Sequence, residues 1–284
     1  MKRICFFFAF AEQKQILHFR RNCDKRKGNG FMWDRKILKS NAKLAIRGNR
    51  FWIGFAVVLV VAACQVVQSF LTKDVNDQMT SALLFGRAYP DLAELIWRNL
   101  LAGLLFLLVE IPLSIGSARF FVRNRFGNTR FGTVLTGFQS GYRNTVAASF
   151  VTDLLIFLWA LLLFIPGVVK GLQYSMVPYL LSDNPGLNGA RARKISSLMT
   201  DGEKGAIFVL QLSFLGLLLC LPVGTAIFLA FLPTPDVAIP FVVMAEILLV
   251  LPYYCAAFAE LYVFLRDRII QTGLVQPAEL NLTA

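Results

Sequence analysis

The chain has 284 residues, of which 56% are hydrophobic and only 16% are charged, and its formal net charge is +12. With a mean hydropathy of +0.60, this composition places the chain among integral membrane proteins and outside the class of soluble globular domains. The positive charge is divided among loops between apolar segments, so it predicts membrane topology and not nucleic-acid binding.

The first 31 residues differ from the rest of the chain. They hold eight Lys and Arg residues, and their apolar run, 4–11, is too short to span a membrane. We expect 1–31 to be a disordered leader or to lie outside the natural protein, with translation starting at Met32. His18 is the single histidine of the chain and lies in this leader. The remainder therefore lacks the histidine of a catalytic triad or an HExxH metal site, and we predict no enzyme activity, no cofactor and no metal.

Residues 32–50 predict an amphipathic helix that lies on the membrane surface. Asp34 is expected to cap its start, and Gly48-Asn49 is expected to supply a C-cap or a hinge before the first span. Leu38 and Ala42 lie on its apolar face. Five cations fall within about 80° of one another on a helical wheel and are predicted to contact anionic lipid headgroups: Lys36, Lys39, Lys43, Arg47 and Arg50.

Five apolar blocks follow, and they predict an all-α transmembrane helix bundle of five to six spans. They cover 51–71, 95–115, 146–181, 206–231 and 237–265. The third block has 36 residues and would extend about 54 Å as one helix, whereas the hydrocarbon core is about 30 Å thick. Pro166 and Gly167 lie inside this block, so we expect the chain to break and reverse there.

The distribution of Lys and Arg favours six crossings over five. Six crossings place 17 of these residues on one side of the membrane and only Lys73 and Arg87 on the other, whereas five crossings divide them 11 to 8. By the positive-inside rule, both termini are then cytoplasmic. The weak point is the fourth segment, 168–181, which is short enough to require a re-entrant or protein-buried helix or a thinned bilayer.

Two inner loops carry further patterns. Arginines alternate with aromatic residues between 118 and 142, which is more typical of an interfacial belt than of a single-stranded nucleic-acid site. After the fourth segment, Asn184 and Pro185 fit the start of a second interfacial helix, and Gly202 fits its end. The apolar stripe of this second helix consists of Leu187, Ile195, Leu198 and Met199.

Four stretches of the chain resemble domain-of-unknown-function family 975, a group of uncharacterised bacterial integral membrane proteins. They are MWDRKILKSNAKLAIRGNRFW (32–52), LWALLLFIPGVVKGLQYSMVPYLLSDNP (158–185), LQLSFLG (210–216) and PYYCAAFAELY (252–262). The chain departs from the family pattern at Leu217, where tryptophan is usual, and over 195–205. The resemblance implies an architecture and a location in the cell membrane, but it implies no reaction.

Ionisable residues inside the apolar blocks are candidate functional sites because charge at membrane depth is costly. Glu110 and Asp153 are predicted at similar depths, where they could share a proton or a cation. Pro112 frees a backbone carbonyl that could join such a site. Lys170 and Glu246 are predicted to pair in the outer half. The alternative is that the two acids are protonated or hydrogen-bonded to nearby hydroxyl groups and serve only packing.

Three classes of function compete on this sequence. We expect a non-enzymatic plasma-membrane protein that organises anionic lipids or membrane-protein partners, with interfacial helices, a transmembrane domain over 51–268 and a cytoplasmic tail over 269–284. The alternative is a small transporter or an ion- or proton-coupled permease that uses Glu110 and Asp153. The third class, a membrane-embedded lipid enzyme, lacks a recognisable catalytic constellation.

Overall fold

The computed structural model describes residues 33–127, 129–139, 141–229 and 235–282, with side chains except at 49, 218–222, 224–226, 228–229 and 235–248. Residues 1–32, with the predicted leader, lie outside these ranges. All regular secondary structure within them is helical. The α-helices are α1 (Arg35–Ala45), α2 (Asn49–Phe85), α3 (Leu92–Leu105), α4 (Ile111–Asn124), α5 (Tyr142–Leu162), α6 (Phe164–Tyr174), α7 (Val177–Asp183), α8 (Gly189–Met199), α9 (Lys204–Leu229) and α10 (Pro235–Gln271).

Four helical stretches within the described residues are long and apolar enough to cross a membrane. They are Arg50–Phe85, Leu92–Asn124, Tyr142–Leu162 and Leu249–Gln271, and Lys204–Leu217 is a shorter apolar helix. Their apolar side chains point in many directions, as expected where lipid and protein both surround a helix. The predicted all-helical, membrane-type fold is therefore confirmed, whereas the predicted count of five to six spans is not.

Helix α1 has the predicted limits, but its apolar face is covered by protein. The Asp34 carboxylate accepts a hydrogen bond of 2.8 Å from the backbone N–H of Lys36. Gly48, with φ +69°, adopts the left-handed conformation that favours glycine and separates α1 from α2. Leu38 and Ala42 are buried. Helix α10 packs beside them, and the Tyr253 hydroxyl donates to the backbone carbonyl of Lys39 at 3.4 Å.

The second membrane helix changes character along its length. Helix α3 exposes its leucines, and a π-helical segment, Phe106–Glu110, connects it to α4, whose residues are almost all buried. A 3-10 helix, Phe131–Phe138, runs back along α4. The two segments can pack this closely because Gly116 and Gly137 have no side chain. A Cβ at either position would overlap a backbone carbonyl of the other segment. Helix α4 is thus enclosed by protein on nearly every side.

The sequence predicted that the aromatic residues in and after α4 form one interfacial belt. In the structure they do not. Phe120 and Phe121 are buried and pack edge to face with ring centroids 5.2 Å apart, whereas Phe126 and Phe131 are partly exposed. The phenylalanines of this run therefore lie in two places, one pair in the protein core and the other at the surface. The first pair is buried because other segments of the protein surround α4.

The block 146–181 reverses direction, but it does so at Leu163 and not at Pro166-Gly167. Leu163 is extended, with φ −156° and ψ 134°, and separates α5 from α6. Pro166 lies in the first turn of α6, where its missing N–H has no helical partner to lose. Gly167 allows α6 to contact the backbone of Ala160, so that α6 runs antiparallel to the end of α5.

The next surface helix starts later than predicted. Helix α8 begins at Gly189, and the Asn188 side chain caps it by accepting a hydrogen bond of 2.9 Å from the Ala190 N–H. Asn184, the predicted cap, instead accepts from the N–H of Gly186 in the preceding turn. Gly202, with φ +74°, follows the end of the helix as predicted. Leu198 is 37% exposed, whereas the other three residues of the predicted apolar stripe are buried.

Candidate functional site

Glu110 is half-buried and is held by a glutamine of α2. Its Oε1 atom accepts a hydrogen bond of 2.9 Å from the side-chain nitrogen Nε2 of Gln65. Glu110 ends the π-helical segment, in which the backbone N–H of Ile111 donates to the carbonyl of Phe106. Single turns of π-helix are frequent at functional sites. This hydrogen bond joins two of the membrane-type helical stretches.

Helix geometry places Glu110 far from both ends of the bundle. Gln65 lies 11 residues, or about 16 Å, from Gly54, a position that packs on the ring of Phe121. In the other direction, Glu110 lies 12 residues, or about 18 Å, from Arg98. The depth of Glu110 in a membrane stays a prediction.

Asp153 lies on a different surface of the protein. It is exposed on α5. The preceding residue, Thr152, accepts a hydrogen bond of 3.4 Å from the Nη1 of Arg193 on α8. No hydrogen bond or ion pair joins Asp153 to Glu110, both of which are described. The sharing of a proton or a cation by these two acids therefore stays a prediction.

Lys170, in the middle of α6, lies close to two aromatic rings. Its Nζ atom lies 5.4 Å from the ring centroid of Trp159 and 5.7 Å from that of Tyr174. Cation–π contacts of this kind stabilise an ammonium group in a partly apolar setting. The predicted partner, Glu246, has its side chain outside the described residues, so the pairing stays a prediction.

The five basic residues of the first surface helix do not all face the same way. Lys36, Lys43 and Arg47 are exposed, whereas Lys39 and Arg50 are half-buried. The Nζ atom of Lys39 lies 4.6 Å from the ring centroid of Phe214. Burial, assisted by the charges of Arg35 and Lys43, lowers the pKa of Lys39. The contact of these five basic residues with lipid headgroups stays a prediction.

A polar groove between α2 and α3 was not predicted from the sequence. Its volume is about 430 Å³, and its lining consists of Gln68, Ser69, Thr72, Asn76, Asn99, Ala102, Gly103 and Phe106. The α2 residues recur at spacings of one, three and four, which puts them on one face of the helix. This spacing is visible in the sequence. Gln68 donates a hydrogen bond of 3.2 Å to the Ala102 carbonyl of α3.

The family model for proteins of unknown function DUF975 matches residues 32–268 of the chain. The chain belongs to the DUF975 family. The match begins at the methionine from which the sequence predicted the protein to start. It covers three of the four membrane-type helices completely and the fourth as far as Arg268. No curated protein and no solved structure matches the chain.

A cluster of ion pairs that the sequence analysis missed joins the C-terminal half of α10 to the surrounding segments of this DUF975 protein. Glu260 pairs with Arg125 at 2.9 Å. Arg268 pairs with Glu203 at 2.6 Å. Arg266 lies 3.3 Å from Asp183. Each pair neutralises two buried or half-buried charges, so the cluster stabilises the fold.

The described residues contain no group of three or more histidine, cysteine, aspartate or glutamate side chains placed to hold a metal ion. Glu110 and its glutamine partner lie about one helical turn from the polar groove.

Proposed function

We propose that this DUF975 protein is a non-enzymatic, multi-pass protein of the plasma membrane that organises anionic lipids and membrane-protein partners at its cytoplasmic face. The observation that carries this proposal is the apolar hairpin made by residues 153–174. Its tip is the most exposed apolar surface of this region, and every tip residue is at least 66% exposed: Leu161, Leu162, Leu163, Phe164 and Ile165.

Helix α5 as a whole is long enough to span a bilayer, but the part of the hairpin that extends beyond α8 is shorter than a bilayer is thick. Helix α6, its return arm, has 11 residues and extends about 16 Å, which is half of a 30 Å hydrocarbon core. The first arm of the hairpin is the end of α5, residues 153–162. It is of similar length, because α8 lies beside α5 as far as Thr152 and covers the part before it. An apolar tip that ends in the middle of the bilayer displaces lipid in one leaflet only. This insertion gives the protein a means of ordering the lipids on one side.

The same geometry supports a specific membrane topology. We propose that six apolar segments enter the bilayer, as the sequence predicts, but that the two arms of the hairpin reach only half-way across. Both flanks of the hairpin then lie in the cytoplasm, together with α1, α8 and the C-terminal tail. This arrangement retains the concentration of Lys and Arg on the cytoplasmic side.

Cysteine labelling in intact cells tests the depth of the hairpin. In a background without native cysteines, we expect Leu163→Cys to resist a membrane-impermeant maleimide both before and after the cells are opened. Leu84→Cys, at the exposed end of α2, should react in intact cells, and Leu44→Cys on α1 should react only in opened cells. Labelling of Leu163→Cys in intact cells would show that the hairpin crosses the membrane and would remove the basis of the proposal.

Lipid selectivity tests the proposed activity directly. In vesicles that contain spin-labelled anionic lipid, Lys36→Gln with Arg47→Gln should weaken its association with the protein about tenfold or more, since each cation contributes about 1 kcal/mol. The matched control is Lys73→Gln with Arg87→Gln, which removes two cations at the opposite end of α2. Equal effects of the two double variants would contradict a lipid site on the cytoplasmic face.

The alternative function, transport coupled to Glu110 and Asp153, rests on the depth of Glu110 and its hydrogen bond to Gln65. It predicts that Glu110→Gln abolishes a cation or proton flux in proteoliposomes. If the flux in such vesicles is unchanged by both Glu110→Gln and Asp153→Asn, the alternative is wrong.

A further inference from the structure

The groove between α2 and α3 lies at the end of the bundle away from α1. Gln68 is 14 residues, or about 21 Å, from Gly54, and Asn76 is 22 residues, or about 33 Å, from the same glycine. In the membrane topology proposed above, with a hydrocarbon core about 30 Å thick, the groove extends from the outer hydrocarbon layer to the headgroups. Polar side chains at this depth require a hydrogen-bonding partner, because lipid tails provide none.

The two hydroxyl groups of the groove have no proton left to donate. The Ser69 Oγ donates to the carbonyl of Gln65 at 2.8 Å, and the Thr72 Oγ1 donates to the carbonyl of Gln68 at 3.2 Å. A hydroxyl group has a single proton and two lone pairs. Both oxygens can therefore only accept a hydrogen bond from a ligand in the groove.

The amide side chains add further acceptors. Gln68 uses one N–H for the Ala102 carbonyl, and Asn99 uses one for the carbonyl of Leu95 at 2.8 Å. The carbonyl oxygens of both amides have no hydrogen-bond donor among the described residues, and the Asn76 side chain makes no hydrogen bond with them. Acceptors thus outnumber donors along the groove.

The groove lining carries no formal charge, since it consists of amides, hydroxyl groups, small residues and Phe106. Arg98, which precedes Asn99 in the chain, is not part of the lining. It pairs with Glu94 at 2.7 Å and with Asp74 at 3.3 Å. A ligand suited to this lining is uncharged and rich in hydrogen-bond donors. An anionic phosphate would find no cation in the lining.

We propose that this groove binds a neutral polyhydroxyl group, of the kind carried by a glycosylated lipid or by a free sugar. Its volume of about 430 Å³ falls within the ~300–1,000 Å³ of small-molecule sites. Vicinal hydroxyl groups donate protons to the acceptor oxygens, and Phe106 offers an apolar surface to the carbon face of the ring. The groove is open to one side, where a lipid anchor can extend along the exposed surface of α3.

The binding test uses the full chain in phosphatidylcholine vesicles and three probes. They are galactosyl diacylglycerol, the same lipid with its sugar hydroxyls methylated, and free methyl galactoside. We expect the first probe to bind and the methylated lipid to bind at least tenfold more weakly, because it has no protons to donate. Binding of free methyl galactoside with equal affinity would identify a free sugar as the source of the group, and weak binding would identify a lipid.

Variants of the groove locate the site. Thr72→Val with Asn99→Leu should weaken binding of the galactosyl lipid about tenfold. Ser81→Ala is the matched control, because the Ser81 hydroxyl makes the same kind of bond on the same helix, 2.9 Å to Gln78, outside the groove. Equal binding of the methylated lipid, or an unchanged affinity in the double variant, would overturn the proposal. So would a dimer that dissociates in the double variant, since a second copy of the chain would then occupy the groove.

Discussion

The Tyr142 hydroxyl donates a hydrogen bond of 2.9 Å to the backbone carbonyl of Leu108. Pro112 lies four residues after Leu108 and has no N–H, so the helix itself cannot supply the usual donor for this carbonyl. Tyr142 supplies it from the first residue of α5. The sequence predicted that Pro112 would free a carbonyl for a site at Glu110, but the structure assigns that carbonyl to a contact between helices.

Loss of the Tyr142 hydroxyl should destabilise the protein. We expect Tyr142→Phe to lower the free energy of unfolding by about 1–2 kcal/mol, because it leaves the Leu108 carbonyl without a donor in an apolar setting. Unfolding of the purified protein in mixed micelles measures this change. Tyr89→Phe is the control, since Tyr89 is exposed. Equal stability of the two variants would show that the Leu108 carbonyl finds another donor.

The contact between α4 and the 3-10 helix Phe131–Phe138 requires glycine at position 116. A Cβ there would overlap the carbonyl of Val134, which is backbone and cannot rotate away. We expect Gly116→Ala to lower the free energy of unfolding by about 3 kcal/mol or to prevent folding. Gly132→Ala, in the same 3-10 helix, has open space around its added methyl group and should change stability by less than about 0.5 kcal/mol. A melting temperature for Gly116→Ala equal to that of Gly132→Ala would contradict the packing.

Asp183 connects α7 to the inner end of α10. Its Oδ2 atom accepts a hydrogen bond of 2.6 Å from the Tyr262 hydroxyl and lies 3.3 Å from the Nη1 of Arg266. We expect Asp183→Asn to cost about 3 kcal/mol, because it leaves a buried guanidinium without this partner. Asp201→Asn, an exposed position, should cost less than about 0.5 kcal/mol. Chemical denaturation of both variants provides the comparison, and similar midpoints would exclude a structural role for Asp183.

The docking of the C-terminal segment should depend on pH. Glu279 accepts two hydrogen bonds from Arg191, of 2.8 and 3.0 Å, and this contact lowers the pKa of the carboxyl group. An acid with a lowered pKa in the folded protein stabilises it above the unfolded pKa, which is about 4.3, and this stabilisation is lost as the pH falls through the folded pKa.

A spin label at Leu274→Cys, in a background without native cysteines, reports this docking. Its mobility should be low at neutral pH and should rise as the solution is acidified below about pH 4. Glu279→Gln should make the segment mobile at every pH and should remove the transition. The same acid transition in Glu279→Gln would assign the titration to another group.

Several features of the fold could be predicted because they depend only on residues close together in the sequence. The Asp34 cap, the Gly48 hinge and the Gly202 stop each arise within one turn of helix, and all three are confirmed. The break in the long apolar block was predicted three residues too late, because proline and glycine mark where a chain can break and not where packing breaks it. The start of α8 was missed for the same reason, since Asn184 and Asn188 are both competent caps.

The helical fold, the apolar segments of membrane-spanning length and the reversal within the third apolar block could all be predicted, because hydrophobicity, span length and Lys/Arg bias are properties of contiguous residues. The pairs of polar residues that meet across helices could not be predicted in this way. Gln65 and Glu110 are 45 residues apart in the chain, and the Arg125–Glu260 pair brings together residues 135 apart. Such contacts depend on the rotation of each helix about its axis and on its position along its neighbour. The periodicity of a single helix specifies neither of these.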